Sequence, residues 1–362
     1  MKIKEHIVSF IYVTFFIFML SSPSLTMEAA LNGMTLFADI IFPSLFPFFV
    51  LTAMLPAISW VNFGARLFSP LMKPLFNVSG QGALVFFAGS LSGFPIEAKM
   101  TADLLKNHKI SISDARRLIC YTNGASPMFV IVAVAGGLMN QPTLGIVLFL
   151  CHLLGNVIIG MAAGRIIKGP SFSSYISASS KADYLTLFRE SVTVSVKQLL
   201  IIGGLITFFS VCITLSEQLI ISLSDGLYDE KLQLLIPGLL ELSNGVEAAA
   251  RISDSYLAGL VILAMISFSG LCIHMQVITF IHQLPISYRS YLISRPFHMI
   301  LSPAIFVVYH FFFPVQKKDL PVLDVSGPVF NSIGFSQYAT VMLLAICTFL
   351  LLHNYYKEKP RL

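Results

Sequence analysis

The chain has 362 residues, 56% of them hydrophobic and only 11% charged, with a mean hydropathy of +0.81. A soluble domain carries about 25% charge, so this composition excludes an ordinary soluble fold and calls for a lipid environment. The net charge of +5 does not call for nucleic acid, because membrane proteins gather Lys and Arg on one side to fix their orientation.

Ile7 to Ser22 is the first apolar run, preceded by Lys2 and Lys4. No small-x-small cleavage site follows it, so 1–27 reads as an uncleaved signal-anchor span. The next span is Leu36 to Ile58, with Pro43, Pro47 and Pro56 inside it. Gly80 to Gly93 is apolar but short and rich in Gly, and it runs into Phe94-Pro95. A crossing helix needs roughly 20 apolar residues, so Gly80–Lys99 reads as a re-entrant hairpin. Spans follow at Leu118–Leu138 and Leu144–Ile167, then a linker at 169–190 and a span at Val192–Leu215. A second short, broken segment covers Leu232–Arg251, and further spans lie at Tyr256–Ile281, Phe297–Phe313 and Ser336–Leu352.

The charges test this map. With both hairpins leaving on the side they entered and the N-terminus in the cytoplasm, Lys231, Arg251, Lys317 and Lys318 face outward. Every other Lys and Arg of the 23 falls on the cytoplasmic side, which also takes the C-terminus. That asymmetry is the positive-inside pattern.

The two halves echo one another. Leu91-Ser92-Gly93-Phe94-Pro95-Ile96-Glu97-Ala98-Lys99 resembles Leu242-Ser243-Asn244-Gly245-Val246-Glu247-Ala248-Ala249-Ala250-Arg251. A span with a break follows each, at Thr122–Pro127 and at Ser267–Gly270. The charge map inverts the second hairpin relative to the first. The expected fold is therefore an all-α polytopic membrane protein with inverted repeats and two re-entrant or broken hairpins. Its divisions are 1–27, a first gate-type repeat at 28–168, a cytoplasmic linker at 169–190, an inverted repeat at 191–313, and an outer loop with a C-terminal span at 314–362.

Paired short segments interrupted by Gly and Pro are the sequence pointer to a transporter site. Bare backbone groups survive at membrane depth only inside protein or against a cavity, and half-helix N-termini attract anions. The substrate-binding candidates are Ser92, Gly93, Pro95, Asn123, Gly124, Ser126, Glu241, Ser243, Asn244 and Ser269. Glu241 stands in an apolar run, where an ionisable group is a functional hypothesis; it either lines a cavity or partners a freed helix end. Glu97, Lys99, Glu247 and Arg251 read as hairpin-mouth residues near the headgroups.

No metal ligand or cofactor is expected. The five Cys form no CxxC pair, and the eight His show no ligand spacing, so both read as packing or interfacial residues. An enzyme is not expected. Gly89-Ser90-Leu91-Ser92-Gly93 resembles the Gly-x-Ser-Gly of intramembrane serine proteases, but Ser90 stands where that motif has Gly.

Pro43-Ser44-Leu45-Phe46-Pro47-Phe48-Phe49, Ser92-Gly93-Phe94-Pro95 with Ala98-Lys99, and Asn123-Gly124-Ala125-Ser126-Pro127 resemble the YlbJ family of sporulation integral membrane proteins. That family carries a nucleoside-recognition, gate-type domain distantly similar to concentrative nucleoside transporters. The resemblance implies a role in spore formation, in moving dipicolinic acid from mother cell to forespore across the outer forespore membrane. A planar dicarboxylate agrees with the half-helix argument. Transport of a nucleoside and a non-transport scaffold role in sporulation are the alternatives. The expected partners are a small anionic solute and the lipid bilayer, with self-association left open.

Overall fold

The computed structural model describes residues 2–54, 59–171, 183–223, 236–282 and 284–315. The predicted Ser336–Leu352 span, half of the 169–190 linker, the outer-face Lys231, Lys317 and Lys318, and the start of the second hairpin lie outside the described residues. Every regular element among those described is helical.

Helix α1 (Lys2–Ser21) and helix α2 (Pro23–Thr35) meet at Ser22, where the chain bends by 102°. Pro23 opens α2, where its missing N–H leaves no helical partner unsatisfied. A π-helical turn, Leu36–Ile41, carries α2 into α3 (Phe42–Met54). Pro43 cannot donate to the preceding turn, and the ladder widens just ahead of it. The predicted span at Leu36 thus begins earlier, at Pro23.

Helix α4 (Ser59–Phe76) is amphipathic and was not foreseen as an element. Phe63, Leu67 and Leu71 are exposed one turn apart, while Met72 and Phe76 are buried. The first hairpin follows as α5 (Gly82–Ser92) and α6 (Ile96–Lys106), joined through Gly93, Phe94 and Pro95. At 11 residues each, these helices span about 16 Å, roughly half of a hydrocarbon core.

Helix α7 (Ile112–Tyr121) starts with a reciprocal capping box between Ser111 and Asp114. It stops at Thr122, and a second π-helical segment, Met128–Leu138, resumes the span. Helix α8 (Pro142–Ile166) returns along its neighbours on small residues. A methyl group on Gly160 would lie 2.7 Å from the Tyr121 ring and 2.8 Å from that of Phe76, and those rings stack at 4.7 Å.

Helix α9 (Tyr184–Leu223) runs well beyond the predicted span at Val192–Leu215. Residues 236–240 are helical and lead through Glu241 into α10 (Leu242–Ala250). Next come α11 (Ser255–Phe268), α12 (Gly270–Ile281) and α13 (Tyr288–Phe312). Helix α13 starts before the predicted Phe297. Helices α8, α9, the α11–α12 pair and α13 are each long and apolar enough to cross a bilayer. The bent α1–α2 pair adds a further crossing when it is taken as one span.

Two of the arginines that the charge map assigns to the cytoplasmic side, Arg117 and Arg295, are fully buried within the protein. Arg117 ties three chain segments together. It donates to Asn77 O at 2.7 Å, to Ile167 O at 2.7 and 3.1 Å, and to Gly169 O at 2.8 Å, with Asp114 at 3.6 Å. Removing one partner of such a buried charged set costs about 3–5 kcal/mol. Arg117→Met should lower stability by that order, read as a loss of melting temperature of the detergent-solubilised protein.

Candidate functional site

The first hairpin tip and the first break are built against each other. Gly93 adopts φ +74°, a left-handed conformation that glycine takes without strain. A methyl group there would lie 2.7 Å from the Ser126 backbone nitrogen, so only glycine permits this approach. The Phe94 N–H then donates to Gly124 O at 3.0 Å. Hairpin tip and unwound strand thereby satisfy each other's backbone groups, as burial requires.

Glu97 sits directly below the tip. It is 0% exposed, and a methyl on Gly89 would lie 2.4 Å from its Cγ. Its Oε1 accepts the Gly124 N–H at 3.3 Å, while Oε2 has no partner in the structure. The sequence reading placed Glu97 at the hairpin mouth; the structure buries it completely, because the tip packs on the break.

The remaining groups of the break are taken by two distant helices. Arg295 on α13 donates through Nη1 to Asn123 O at 2.9 Å and through Nη2 to Cys120 O. Its guanidinium also lies 5.0 Å from the centre of the Tyr291 ring. His152 on α8 accepts the Ala125 N–H at Nε2, 3.1 Å away. That leaves its Nδ1 to donate to Ser267 Oγ at 3.2 Å, next to the second break. His298 Nε2 donates to His152 O at 3.1 Å.

The second tip and break use a different device. The Glu241 side chain caps α10, its Oε2 accepting from the Asn244 N–H at 2.8 Å and from Asn244 Nδ2 at 3.1 Å. Asn244 Nδ2 also reaches Ser210 Oγ on α9 at 3.1 Å. Ser269 and Gly270 both take positive φ, +77° and +57°, and turn α11 into α12. The freed Phe268 carbonyl accepts from His274 Nε2 at 2.9 Å, and His274 Nδ1 meets the Tyr288 hydroxyl at 2.5 Å.

Both tips and both half-helices border one cavity of about 50 Å³. The first tip contributes Ser92, Gly93 and Phe94, and the first break contributes Ser126 and Phe129. The second tip contributes Glu241, Leu242 and Ser243, and α12 contributes Cys272, Ile273 and Gln276. Apolar side chains from the α2–α3 stretch and α9 close it, namely Ile41, Leu45, Phe49 and Ile202.

Of the ten predicted binding residues, Ser92, Gly93, Ser126, Glu241 and Ser243 therefore share this cavity, from positions far apart in sequence. Pro95, Asn123, Gly124, Asn244 and Ser269 are not in its wall. They hold the tips and breaks that form it; Asn123, for example, spends its side-chain amide on Ile119 O at 3.0 Å. Glu247 and Arg251 form an ion pair at 2.7 Å with the arginine side chain 78% exposed, and Lys99 is half-buried.

Sequence reasoning missed Arg295, His152, His298 and Gln276. Usable signals were present: Arg295 is a cation in the long apolar stretch now seen as α13, and His152, His298 and Gln276 are polar residues inside predicted spans. Gly93→Ala should cost more than about 1 kcal/mol, because it forces a β-carbon into both an unfavourable φ and Ser126. The melting temperature should fall, and thiol labelling of Cys272 in the cavity wall should change in rate.

A family profile described as Gate, nucleoside recognition, matches residues 39–142. That stretch runs from the first π-helical turn through the first hairpin and first break to the start of α8. The chain is 30% identical to the sporulation integral membrane protein YlbJ of Bacillus subtilis (strain 168), over 94% of this chain and 95% of that one. No solved structure matches it. Likeness at that level over nearly the whole of both chains, together with its apolar helices, makes this a multi-pass membrane protein that belongs to the YlbJ family of sporulation integral membrane proteins.

Proposed function

We propose that this protein carries a small organic anion across a membrane of the sporulating cell, with dipicolinate as the first candidate. The observation that supports it most is the meeting of two hairpin tips and two broken helices at one cavity. The first turn of helix α12 borders that cavity through Cys272 and Ile273 and has no side-chain cap, and a helix N-terminus favours negative charge. Helix α10 differs, because Glu241 already occupies its N-terminus. The anion in this reading sits at α12 beside the hydroxyls of Ser126 and Ser243, since Ser92 donates its own to Ala88 O at 2.8 Å.

In this reading the two hairpins enter from opposite faces as inverted repeats. Both termini face the cytoplasm of the mother cell, and the membrane is the outer forespore membrane. Pockets for organic ligands measure about 300–1,000 Å³, so the cavity of about 50 Å³ corresponds to a closed state. Loading requires the tips to part from each other or from α3 and α9.

The nucleoside reading is favoured by the family profile over residues 39–142 and by Glu241 in the wall, an acceptor suited to sugar hydroxyls. Uptake of labelled dipicolinate and of labelled uridine into proteoliposomes separates the two. The anion reading expects saturable dipicolinate uptake, lowered about tenfold by the Ser126→Ala, Ser243→Ala double variant. It also expects Glu241→Gln to leave the KM for the dicarboxylate unchanged or to reduce it, since a like charge is removed. The nucleoside reading expects uridine uptake whose KM rises with Glu241→Gln. Uptake of neither solute by folded protein would defeat both and favour the scaffold role.

A further inference from the structure

The Asn123 carbonyl and the Gly124 N–H belong to one peptide unit. Arg295 donates to the carbonyl at 2.9 Å, and Glu97 accepts from the N–H at 3.3 Å. A single peptide in the first break therefore stands between a fully buried cation and a fully buried carboxylate. Its dipole is oriented favourably to both, with the oxygen toward the guanidinium and the N–H toward the carboxylate. The two charges are not an ion pair: no Arg295 nitrogen lies within 4.0 Å of a Glu97 oxygen among the described contacts.

The neighbours supply no other compensating charge. His152 accepts the Ala125 N–H and donates to Ser267, which makes it neutral with its proton on Nδ1. His298 donates to His152 O through Nε2, leaving Nδ1 as the acceptor that faces Arg295 Nη1 at 3.4 Å. His274 donates to Phe268 O through Nε2 and accepts from Tyr288 at Nδ1, so it is neutral as well. Tyr291 offers Arg295 its ring face at 5.0 Å. Burying either charge without its opposite is costly.

We propose that Arg295 and Glu97 act as a charge clamp on the Asn123–Gly124 peptide, and that Arg295 is thereby a positioning residue for the solute site although it does not line the cavity. Ser126, two residues beyond the clamped peptide, does line it, and Gly93 packs on Ser126. Rotation of the clamped peptide would release both charged partners at once and carry Ser126 out of place. The solute part of this assignment rests on the transport reading; the clamp does not.

The test is a double-variant cycle of Glu97→Gln and Arg295→Met, with Arg295→Lys as the conservative variant, in a background whose only cysteine is Cys272. Melting temperature in detergent and the labelling rate of Cys272 are read first, then the KM for labelled dipicolinate. Both side chains hold the same peptide, so each single variant should already lose much of what the double variant loses, and the two losses should not add. The double variant removes both charges but leaves the carbonyls of Cys120 and Asn123 bare. Its Cys272 labelling rate and its KM should therefore each change by about tenfold or more, with Arg295→Lys in between. Additive losses of melting temperature would overturn the clamp. A double variant with the native labelling rate would overturn the positioning role. If the native protein moves no dipicolinate, the transport reading fails, while melting and labelling still decide the clamp.

Discussion

One peptide group, Asn123–Gly124, organises the interior of this protein. Unwound backbone away from water needs partners for its N–H and C=O groups, and five such groups of residues 120–125 find theirs on four separate elements. Helix α13 supplies Arg295 to the carbonyls of Cys120 and Asn123. Glu97, on α6, takes the Gly124 N–H, the hairpin tip gives Phe94 N–H to Gly124 O, and His152 on α8 takes the Ala125 N–H. Each of these bonds offsets part of the cost of unwinding the helix inside the protein.

The same accounting explains the second break, with different chemistry. There the φ of Ser269 and Gly270 makes the turn, and His274 takes the freed Phe268 carbonyl. His152 links the two regions by touching Ala125 on one side and Ser267 on the other. The cavity between the tips is the space left where the two constructions meet. Its polar groups are few and come from tips and half-helices, while Ile41, Leu45, Phe49 and Ile202 seal it. Helix α13 reaches the first break through Arg295 and the second indirectly, through the Tyr288 bond to His274.

Much of the fold could be read from local pattern. The apolar runs mark α8, the α11–α12 pair and the later part of α13. Gly93-Phe94-Pro95, Asn123-Gly124 and Ser269-Gly270 mark the interruptions, because Gly and Pro cannot sustain a helix ladder. The Ser111–Asp114 capping box that starts α7 is a signal the sequence reading left unused, and the predicted span opens only at Leu118. Boundaries were harder to read. Helix α2 begins at Pro23 and runs through a π turn, and α9 extends past its apolar core at both ends. Helix α4 was missed because its exposed and buried apolar residues are interrupted by Arg66, Lys73 and two prolines.

The sequence by itself determined that this chain lives in a membrane, where its helices break, and which short polar residues stand at the breaks. These are local properties, set by hydropathy and by the backbone preferences of single residues. Only the tertiary structure decided that Ser92, Ser126, Glu241 and Ser243 share one cavity while Asn123 and Asn244 support it. It also buried Glu97 against the first break and brought in Arg295. The reason is distance along the chain. Glu97 reaches its partner across 27 residues and Arg295 across 172, and no periodicity or propensity carries information over such separations. Packing alone selects which buried charge meets which freed peptide.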